Sequence, residues 1–486
     1  MKVDALGRAA DERGMGRRRH RLLGTLAVLM LMAGASGLSS NASATEVGVN
    51  VPTTISFQAP KALAAIRASR PAWVRVFLVW NALETQPGVY NVPQIKVFRD
   101  FFNALPKGTK IDADVVGTPP WAAGGSTSIA TPPTADGTYA TFISHLVSVF
   151  HGRVNAWELW NEESNTGWWT GSIAQYADLV KAAYPAIKAA DPAATVVLGA
   201  NSPEWLSQLY ADGIKGYFDA DAVHSDTSCN VTSPYIYEYN RDTTTVNRFF
   251  FLGFTGVHAI MAAHGDSSKQ IYMTEIGWSS TTAECSTGKW AGQKLAGVAE
   301  NTQATYLTQA YHCLAQPQYS YIKAAMWFEL YNNGTSTGPL DNFGLLNANY
   351  TPKPAFNAFE QESLHGDHQS GPCGNFSPPK ITILHPTPNL HYSGPLRIAV
   401  SASSPSNGVR EITIYLTKRS REHFGAKGFP AKLGAALTWQ GAKDLRAGPH
   451  KIKVVVIDKL GNVAKMTFSV VHMAAPHKPA HHPAHH

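Results

Sequence analysis

The stretch that decides the fold lies at residues 154–163 and reads Val-Asn-Ala-Trp-Glu-Leu-Trp-Asn-Glu-Glu. An apolar strand leaves the core there and ends in an amide followed by two carboxylates. Residues 271–278, Ile-Tyr-Met-Thr-Glu-Ile-Gly-Trp, follow the same plan: a strand, then a carboxylate, then an aromatic side chain. Acidic residues at two strand ends, in a chain with 12 Trp residues, indicate sugar chemistry.

Strand-like runs alternate with helical stretches on both sides of these two segments. The runs are almost continuously apolar, which is typical of strands buried on both faces; they are 47–50, 73–79, 111–116, 154–160, 195–199, 220–224, 271–275 and 324–329. Amphipathic segments such as Ile173–Ala189 separate them. Eight strands with alternating helices predict a (β/α)₈ TIM barrel over residues 45–362. A doubly wound sheet is the alternative, but no G-x-G-x-x-G follows the first strand.

The composition changes after the barrel. Residues 363–379 are rich in Gly, Ser, His and Pro and predict a linker. Short alternating strands over 380–473, with a hairpin signal at 458–462, predict a small antiparallel β-sandwich of the Ig-like kind. Residues 474–486 are rich in His, Pro and Ala, and we expect a disordered tail there in preference to a metal site.

The N-terminal segment has the features of a targeting sequence. A basic region at 17–21 precedes an apolar run at 22–38, and Ala42-Ser43-Ala44 fits a cleavage site. We therefore predict a signal peptide at 1–44 and a secreted, cell-surface or periplasmic protein. An uncleaved N-terminal anchor is the alternative, although the apolar run is short and interrupted by Gly and Ser.

The net charge of +7 is unevenly distributed along the chain. Residues 45–378 carry a net −8 (19 basic, 27 acidic), whereas residues 379–473 carry a net +10 (14 basic, 4 acidic). The acidic barrel argues against a nucleic-acid binder. The basic sandwich could hold an anionic cell-wall polymer, but a structural spacer is the simpler interpretation.

Glu162 and Glu275 fall at the ends of the predicted fourth and seventh strands, where TIM-barrel enzymes carry their catalytic groups. Their separation of 113 residues fits three βα units. Hydrolysis of a glycosidic bond needs two carboxyl groups: one protonates the leaving oxygen, and the other attacks the anomeric carbon or activates water. This chemistry requires no cofactor and no metal, and we predict neither.

The motifs along the barrel resemble those of glycoside hydrolase clan A. The paired signatures are Trp160-Asn161-Glu162 and Thr274-Glu275-Ile276-Gly277-Trp278. Further matches follow in order: Val74-Arg75-Val76 with Trp80 and Gly88-Val89-Tyr90, Gly117-Thr118-Pro119-Pro120-Trp121, Met326-Trp327-Phe328, and Asn342-Phe343-Gly344-Leu345. Within the clan, the chain most resembles family 39 or the family-39-like polysaccharide hydrolases, over nearly all of residues 45–362.

That resemblance implies a retaining β-glycoside hydrolase in which Glu162 is the acid/base and Glu275 the nucleophile. Asn161 would hydrogen-bond the sugar 2-hydroxyl. Arg75 would pair with Glu275 and keep it ionised, because a nearby cation lowers the pKa of a carboxylate. Glu162 needs the opposite shift of its pKa, which aromatic neighbours such as Trp121 and Trp160 would cause by desolvation.

Two positions depart from the clan pattern. The usual Asn-Glu-Pro is here Asn161-Glu162-Glu163, and we expect the extra carboxylate to be solvated or paired. The His-Pro-Tyr-like end of strand six is here His224-Ser225-Asp226. The Tyr that normally contacts the nucleophile could be replaced by Tyr235 or Tyr237. His224 itself is open between a site residue and a core histidine.

Substrate contacts are expected from aromatic side chains near the strand ends, because pyranose faces stack on such rings. Trp168 and Trp169, in a Gly- and Ser-flanked loop after Glu162, are the best platform candidates. Glu158 is expected to form an inward ion pair, and Glu329 is open between a structural and a substrate-binding role. The predicted substrate-binding set is Arg75, Trp121, Asn161, Trp168, Trp169, His224, Trp278 and Trp327.

Four cysteines lie beyond the targeting segment: Cys229, Cys285, Cys313 and Cys373. An even number in an exported protein predicts disulfides, and four cysteines allow three pairings. In a barrel, Cys229 and Cys285 would lie in neighbouring loops after strands six and seven. We therefore favour the pairs Cys229–Cys285 and Cys313–Cys373.

Two other functions stay open. The chain could be a barrel that has lost catalysis and only binds glycan, or a surface attachment protein in which the basic sandwich does the work. The expected partner is an oligo- or polysaccharide, and we expect a monomer. Xylosides, glucans, mannans and acidic exopolysaccharides are all compatible with the sequence, as are exo and endo action.

Overall fold

The computed structural model describes most of residues 45–473. It leaves out 53–59, 201, 230, 238–245, 287–290, 333, 335–337, 366–372, 374–377, 406–407, 418–419, 426–427 and 460–461. The predicted signal peptide (1–44), the tail (474–486) and most of the predicted linker lie outside the described residues.

Eight parallel strands of the described chain close into a barrel. They are β1 (Glu46–Asn50), β2 (Trp73–Val79), β3 (Lys110–Val116), β4 (Ala156–Leu159), β5 (Thr195–Ala200), β6 (Ala220–Thr227), β7 (Gln270–Trp278) and β8 (Ile322–Trp327). Each strand pairs with the next along the chain, and β8 pairs with β1. The predicted TIM barrel is confirmed.

A helix follows each barrel strand within the described residues. These helices are α1 (Pro60–Ser69), α2 (Val92–Ala104), α3 (Asp136–Val149), α4 (Ile173–Ala190), α5 (Pro203–Ala211), α6 (Phe254–Ala263), α7 (Glu300–Leu314) and α8 (Pro354–His365). The sequence fixes several of their starts. Ser172 forms a capping box with Gln175 at α4, and Ser202 caps α5 just before Pro203.

The N-terminal end of the barrel is sealed by packing and charge. A Cβ at Gly48 would lie 2.7 Å from Met326 Cγ and 2.9 Å from Trp73 Cβ, so only glycine fits there. Glu46 accepts hydrogen bonds from Lys110 at 2.7 Å and Lys323 at 2.9 Å. The opposite end, where the strands finish in polar residues, is left for the functional site.

The C-terminal region forms two packed sheets. Its strands are β9 (Lys380–His385), β10 (His391–Tyr392), β11 (Leu396–Ser403), β12 (Val409–Tyr415), β13 (Arg421–Gly425), β14 (Lys432–Trp439), β15 (Gly448–Asp458) and β16 (Val463–His472). One sheet has the order β9-β11-β14 and the other β10-β16-β15-β12-β13; all pairs are antiparallel except β10 with β16. The predicted β-sandwich is confirmed, and its Ig-like classification stays a prediction.

One buried hydrogen bond connects the sandwich to a barrel loop. The Tyr237 hydroxyl, in the loop after β6, donates to Asn462 Oδ1 at 2.8 Å, and both side chains are buried. Asn462 in turn donates to Asp458 through its amide at 2.7 Å and its backbone N–H at 2.8 Å. The Tyr237 hydroxyl is therefore used in an interdomain contact, and a contact of Tyr235 or Tyr237 with the nucleophile stays a prediction.

Both predicted disulfides are present. Cys229–Cys285 joins the loops after β6 and β7, with the Cα atoms 5.5 Å apart. Cys313–Cys373 joins α7 to the segment after α8, with the Cα atoms 4.8 Å apart. None of the helices in the described part of the chain has the length and apolar character needed to cross a bilayer.

Candidate active site

Glu162 is presented to solvent by an unusual backbone path after β4. Trp160 and Glu162 have φ values of 75° and 44°, in the left-handed region that bulky residues rarely adopt. The Trp160 ring is buried, and its Nε1 donates to the Trp168 carbonyl at 2.7 Å. Packing thus holds a strained turn that turns the Glu162 side chain, 30% exposed, toward the open end of the barrel.

Glu275, on β7, lies against the buried guanidinium of Arg75 from β2. Arg75 Nη1 donates to Glu275 Oε1 at 2.6 Å, as the sequence led us to expect. The same guanidinium bonds Glu158 at 2.6 Å and Asp114 at 2.8 Å. Glu158 is therefore an inward ion-pair partner in the barrel interior. Arg75 acts as the shared cation that fixes the nucleophile candidate.

Asn161 is oriented by the same arginine. Its side-chain oxygen accepts from Arg75 Nη2 at 3.0 Å. Since a guanidinium has no acceptor, this contact identifies the oxygen and points the amide nitrogen elsewhere. The Asn161 amide is thereby left as a donor beside Glu162, in keeping with the predicted contact to a sugar hydroxyl.

His224 bridges the two candidate catalytic carboxylates. Its Nδ1 lies 3.0 Å from Glu162 Oε1, and its Nε2 lies 3.6 Å from Glu275 Oε1. Burial alone lowers the pKa of His224, but the charge of Glu275 and the hydrogen bond and charge of Glu162 outweigh it and raise the pKa to about 9. His224 is thus an imidazolium within the site at neutral pH.

The pKa of Glu162 is shifted downward, whereas the sequence led us to expect an upward shift. Burial raises the pKa of Glu162, but the hydrogen bond and charge of His224, with a hydrogen bond from Asn165, lower it to about 2. The sequence indicated aromatic neighbours of Glu162, but it could not show that the His224 imidazolium lies 3.0 Å from its carboxylate. Trp121 is half-buried, and its indole N–H donates to the Glu84 carbonyl at 3.3 Å. Its ring stands edge-on to Trp80, and within the described residues no contact joins it to Glu162.

The pKa of Glu275 also differs from the expectation. Its side chain is 7% exposed, and burial raises the pKa above its usual value. The charges of His224 and Arg75 act in the expected direction, lowering it, but they do not outweigh burial and the negative charge of Glu162. The nucleophile candidate is therefore a poorly solvated, more basic carboxylate.

Glu163 is neither solvated nor paired with a cation in the described structure. Its side chain is buried beside the hydroxyl of Tyr176, and burial raises its pKa to about 8. A Cβ at position 199 would lie 1.7 Å from Glu163 Oε1, so Gly199 provides the space for this carboxyl. Glu163 is consequently a neutral acid at neutral pH, which removes the charge that the sequence placed next to Glu162.

The predicted aromatic contacts separate into two groups by exposure. Trp169, Trp278 and Trp327 are 2% exposed or less. Their indole N–H groups donate to carbonyls of Ser172, Thr232 and Phe343 respectively. These three side chains are packed in the protein interior and do not present a free face. Trp168 is half-buried and stacks on Phe77 at 5.5 Å, so it is the remaining platform candidate of the loop after Glu162.

Other functional neighbours gave no clear signal in the sequence. Asn165 donates to Glu162 Oε2 at 3.1 Å, and Asn50 accepts from Arg75 at 3.0 Å. Glu329, just after β8, is 2% exposed, and burial with the charge of Glu275 raises its pKa well above its usual value. Asn165 lies three positions after Glu162, and Asn50 lies at the end of β1. A single amide at such a position is too common in sequences to indicate a contact with a catalytic candidate.

One set of acidic and imidazole groups among the described residues has the spacing of a metal site. One ligand atom each from Glu162, His224 and Glu275 lie within 4.8 Å of one another. Because Glu162 and Glu275 already have cationic partners in His224 and Arg75, we interpret the cluster as a charge and proton network.

A cavity of about 580 Å³ opens beside Glu162 and His224. Its walls come from the loops after β4, β5 and β6, including Ser164, Pro203 and Phe249. A volume in the range of about 300–1,000 Å³ is typical of small-molecule sites. The cavity therefore gives one side of the site room for a ligand.

A closed (β/α)₈ barrel with carboxylates at the ends of β4 and β7 has the architecture of the clan A glycoside hydrolases, as the sequence motifs indicated. No protein-family model matches the chain, and no curated protein matches its sequence. Solved structures do match. A family 39 glycoside hydrolase from Bacteroides cellulosilyticus WH2 aligns with a TM-score of 0.55 and 18% identity, over 82% of this chain and 80% of that one.

A mannanase and a mannosidase align more distantly. An endo-β-1,4-mannanase from Thermotoga petrophila has a TM-score of 0.45 and 14% identity, over 89% of this chain and 99% of that one. The exo-β-1,4-mannosidase Op5Man5 from Opitutaceae bacterium strain TAV5 has a TM-score of 0.49 and 13% identity, over 73% of this chain and 64% of that one. The family 39 alignment confirms the expected resemblance at the level of the fold.

Proposed function

We propose that this chain is an exported retaining β-glycoside hydrolase. The observation that carries the proposal is the cluster of Glu162, His224 and Glu275, whose ligand atoms lie within 4.8 Å at the open end of a TIM barrel. Double displacement is proposed from the resemblance of the strand-end motifs to clan A, and the stereochemistry of the product tests it.

In the first step, the Glu275 carboxylate attacks the anomeric carbon, the glycosidic C–O bond breaks, and Glu162 protonates the leaving oxygen. Burial makes Glu275 more basic than a solvated glutamate, which suits a nucleophile. Its ion pair with Arg75 at 2.6 Å fixes the attacking oxygen. The product of this step is a glycosyl ester of Glu275.

The proton for the leaving group is held on His224 before substrate binds. At neutral pH the pKa values of about 9 for His224 and about 2 for Glu162 describe an imidazolium–carboxylate pair. A bound sugar excludes water from this pair and favours its neutral form, because desolvation disfavours charge. We infer that the proton then moves from His224 Nδ1 to Glu162 Oε1 across the 3.0 Å hydrogen bond.

In the second step Glu162, now a carboxylate, takes a proton from the water that attacks the glycosyl ester. Glu275 leaves as a carboxylate, and the sugar keeps its anomeric configuration. The neutral state of Glu163 supports this cycle, because a second negative charge beside Glu162 would oppose its ionisation.

Turnover of aryl β-glycosides tests the proposal. Purified protein is assayed on p-nitrophenyl β-xyloside, β-glucoside and β-mannoside and on β-linked polysaccharides, beside Glu275→Gln, Glu162→Gln and the exposed control Glu204→Gln. We expect Glu275→Gln to be inactive. Glu162→Gln should lose about a hundredfold or more on polysaccharides, whose leaving oxygen needs a proton. Azide should restore turnover of the p-nitrophenyl glycosides alone, because it attacks the glycosyl ester without a general base. Glu204→Gln, on the outer helix α5, should match the wild type.

Further assays on the same purified protein test the stereochemistry of hydrolysis and the alternative function as a glycan-binding barrel. Proton NMR of early hydrolysis should show the β-anomer first, and an initial α-anomer would contradict double displacement. Activity that survives in Glu275→Gln would refute the choice of nucleophile. Binding of a polysaccharide without turnover by the wild type would favour the glycan-binding barrel.

Export and partners follow from less direct observations. Two disulfides are typical of proteins from oxidising compartments and support secretion. An oligo- or polysaccharide is the proposed partner of the barrel. Attachment of the basic sandwich to an anionic cell-wall polymer, and the monomeric state, stay predictions.

A further inference from the structure

The cavity beside Glu162 lies on the leaving-group side of the proposed reaction centre. It is lined by the proton donor Glu162 and by His224, but not by Arg75, Asn161 or Glu275. In a double displacement the nucleophile faces the anomeric carbon and the proton donor faces the leaving oxygen. If the proposed function is correct, the departing sugar therefore lies in this cavity.

An exposed aromatic ring and a cation lie side by side in the lining of this cavity. Phe249 is 61% exposed, an unusual degree for a large apolar side chain that lines a pocket. The guanidinium carbon of Arg248 lies 5.0 Å from the centre of its ring. Arg248 forms no ion pair within the described part of the chain, and it lines the cavity.

The charge of the cavity differs from that of the barrel that contains it. Residues 45–378 carry a net −8, yet Glu162 is the single acidic residue among the described residues that line the cavity. His224, at 3.0 Å, balances that carboxylate. Besides Glu162 and His224, Arg248 is the charged residue among the described lining residues, and its guanidinium favours an anion at the rim.

We propose that this cavity is a leaving-group subsite for a pyranose that carries an anionic substituent. The sugar face stacks on Phe249, and the anion is paired by the guanidinium of Arg248, whose planar donors suit a carboxylate or sulfate. The substrate is then an acidic polysaccharide whose charged unit lies on the reducing side of the cleaved bond.

Acceptor partitioning tests the subsite separately from hydrolysis. A retaining enzyme passes its glycosyl group to any sugar that occupies the leaving-group site. The donor is a p-nitrophenyl β-glycoside that the enzyme is able to hydrolyse. The yields of glycosyl transfer to methyl β-glucuronide, methyl β-glucoside and methyl β-glucoside 6-sulfate are then compared. We expect about fivefold more transfer to an anionic acceptor than to the neutral one, the upper range for a partly exposed ion pair.

Arg248 variants assign the preference to the guanidinium. Arg248→Gln should abolish the preference, Arg248→Lys should keep part of it, and Arg99→Gln, an exposed arginine on α2, should keep all of it. Salt at about 0.5 M should weaken it. Preference for the glucuronide over the sulfate ester identifies a uronic acid, and the reverse identifies a sulfated sugar.

Equal transfer to charged and neutral acceptors, or a preference that survives in Arg248→Gln, would overturn the subsite. If neither the aryl glycosides nor the polysaccharides are hydrolysed, the proposed function fails first. Saturation-transfer NMR with methyl β-glucuronide and methyl β-glucoside then makes the same comparison without turnover. Binding that does not distinguish them, or does not depend on Arg248, rejects the anionic site as well.

Discussion

Replacing Glu163 by glutamine should stabilise the protein in a pH-dependent way. Glu163 is fully buried with a pKa of about 8, against 4.5 for an ordinary glutamate. Between these two pH values the folded state holds a proton that the unfolded state has released, so stability falls as the pH rises through this window. Gln keeps the shape of the neutral acid without the titration.

The magnitude follows from the width of the window. At 1.36 kcal/mol per pH unit, the wild type loses about 3 kcal/mol between pH 4.5 and pH 7, and more by pH 8. At pH 5 the loss is below about 1 kcal/mol. For a chain of this size, about 3 kcal/mol corresponds to a difference in Tm on the order of 5 °C.

Thermal unfolding from pH 5 to pH 8.5 measures the effect. The Tm of Glu163→Gln minus that of the wild type should be small at pH 5 and should widen steadily to pH 8. Glu204→Gln, which changes an exposed glutamate, should show no such widening. A Tm difference that stays constant across this pH range would refute the neutral buried acid. So would a difference that shrinks as the pH rises.

Three further predictions concern the same region and its supports. His224→Gln removes the stored proton, so we expect kcat/KM to fall about tenfold or more and the alkaline limb near pH 9 to move or vanish in the pH–rate profile; an unchanged profile would contradict the role of His224. Gly199→Ala places a Cβ 1.7 Å from Glu163 Oε1 and 2.6 Å from the Trp160 carbonyl, and should cost about 1–3 kcal/mol in urea unfolding; wild-type stability would show that the site has room. Cys313→Ser with Cys373→Ser opens a loop of 60 residues and should cost about 4 kcal/mol while kcat is kept; lost activity in the folded variant would mean that this bridge also supports the site.

The barrel could be predicted from the sequence because its strands are buried on both faces and therefore read as continuous apolar runs. All eight were found within a few residues of their predicted bounds. The sandwich was harder. Strand β13 is almost entirely exposed, and β14 alternates exposed with more buried positions, so neither gives the continuous apolar run of a barrel strand.

The positions of the two catalytic candidates were predictable, but their electrostatics were not. A strand end and a spacing were enough to choose Glu162 and Glu275. The pKa of Glu162 depends on His224, which is 62 residues away in sequence and 3.0 Å away in space. The state of Glu163 depends on Tyr176 from α4 and on the space left by Gly199 in β5. Such effects arise from tertiary contacts that no local pattern encodes.

The bond from Tyr237 to Asn462 has a consequence for how the two domains unfold. The turn between β15 and β16 holds the barrel loop that leaves β6, the strand of His224. Removing the sandwich would leave the Tyr237 hydroxyl without that acceptor, so we expect the two domains to melt in one transition.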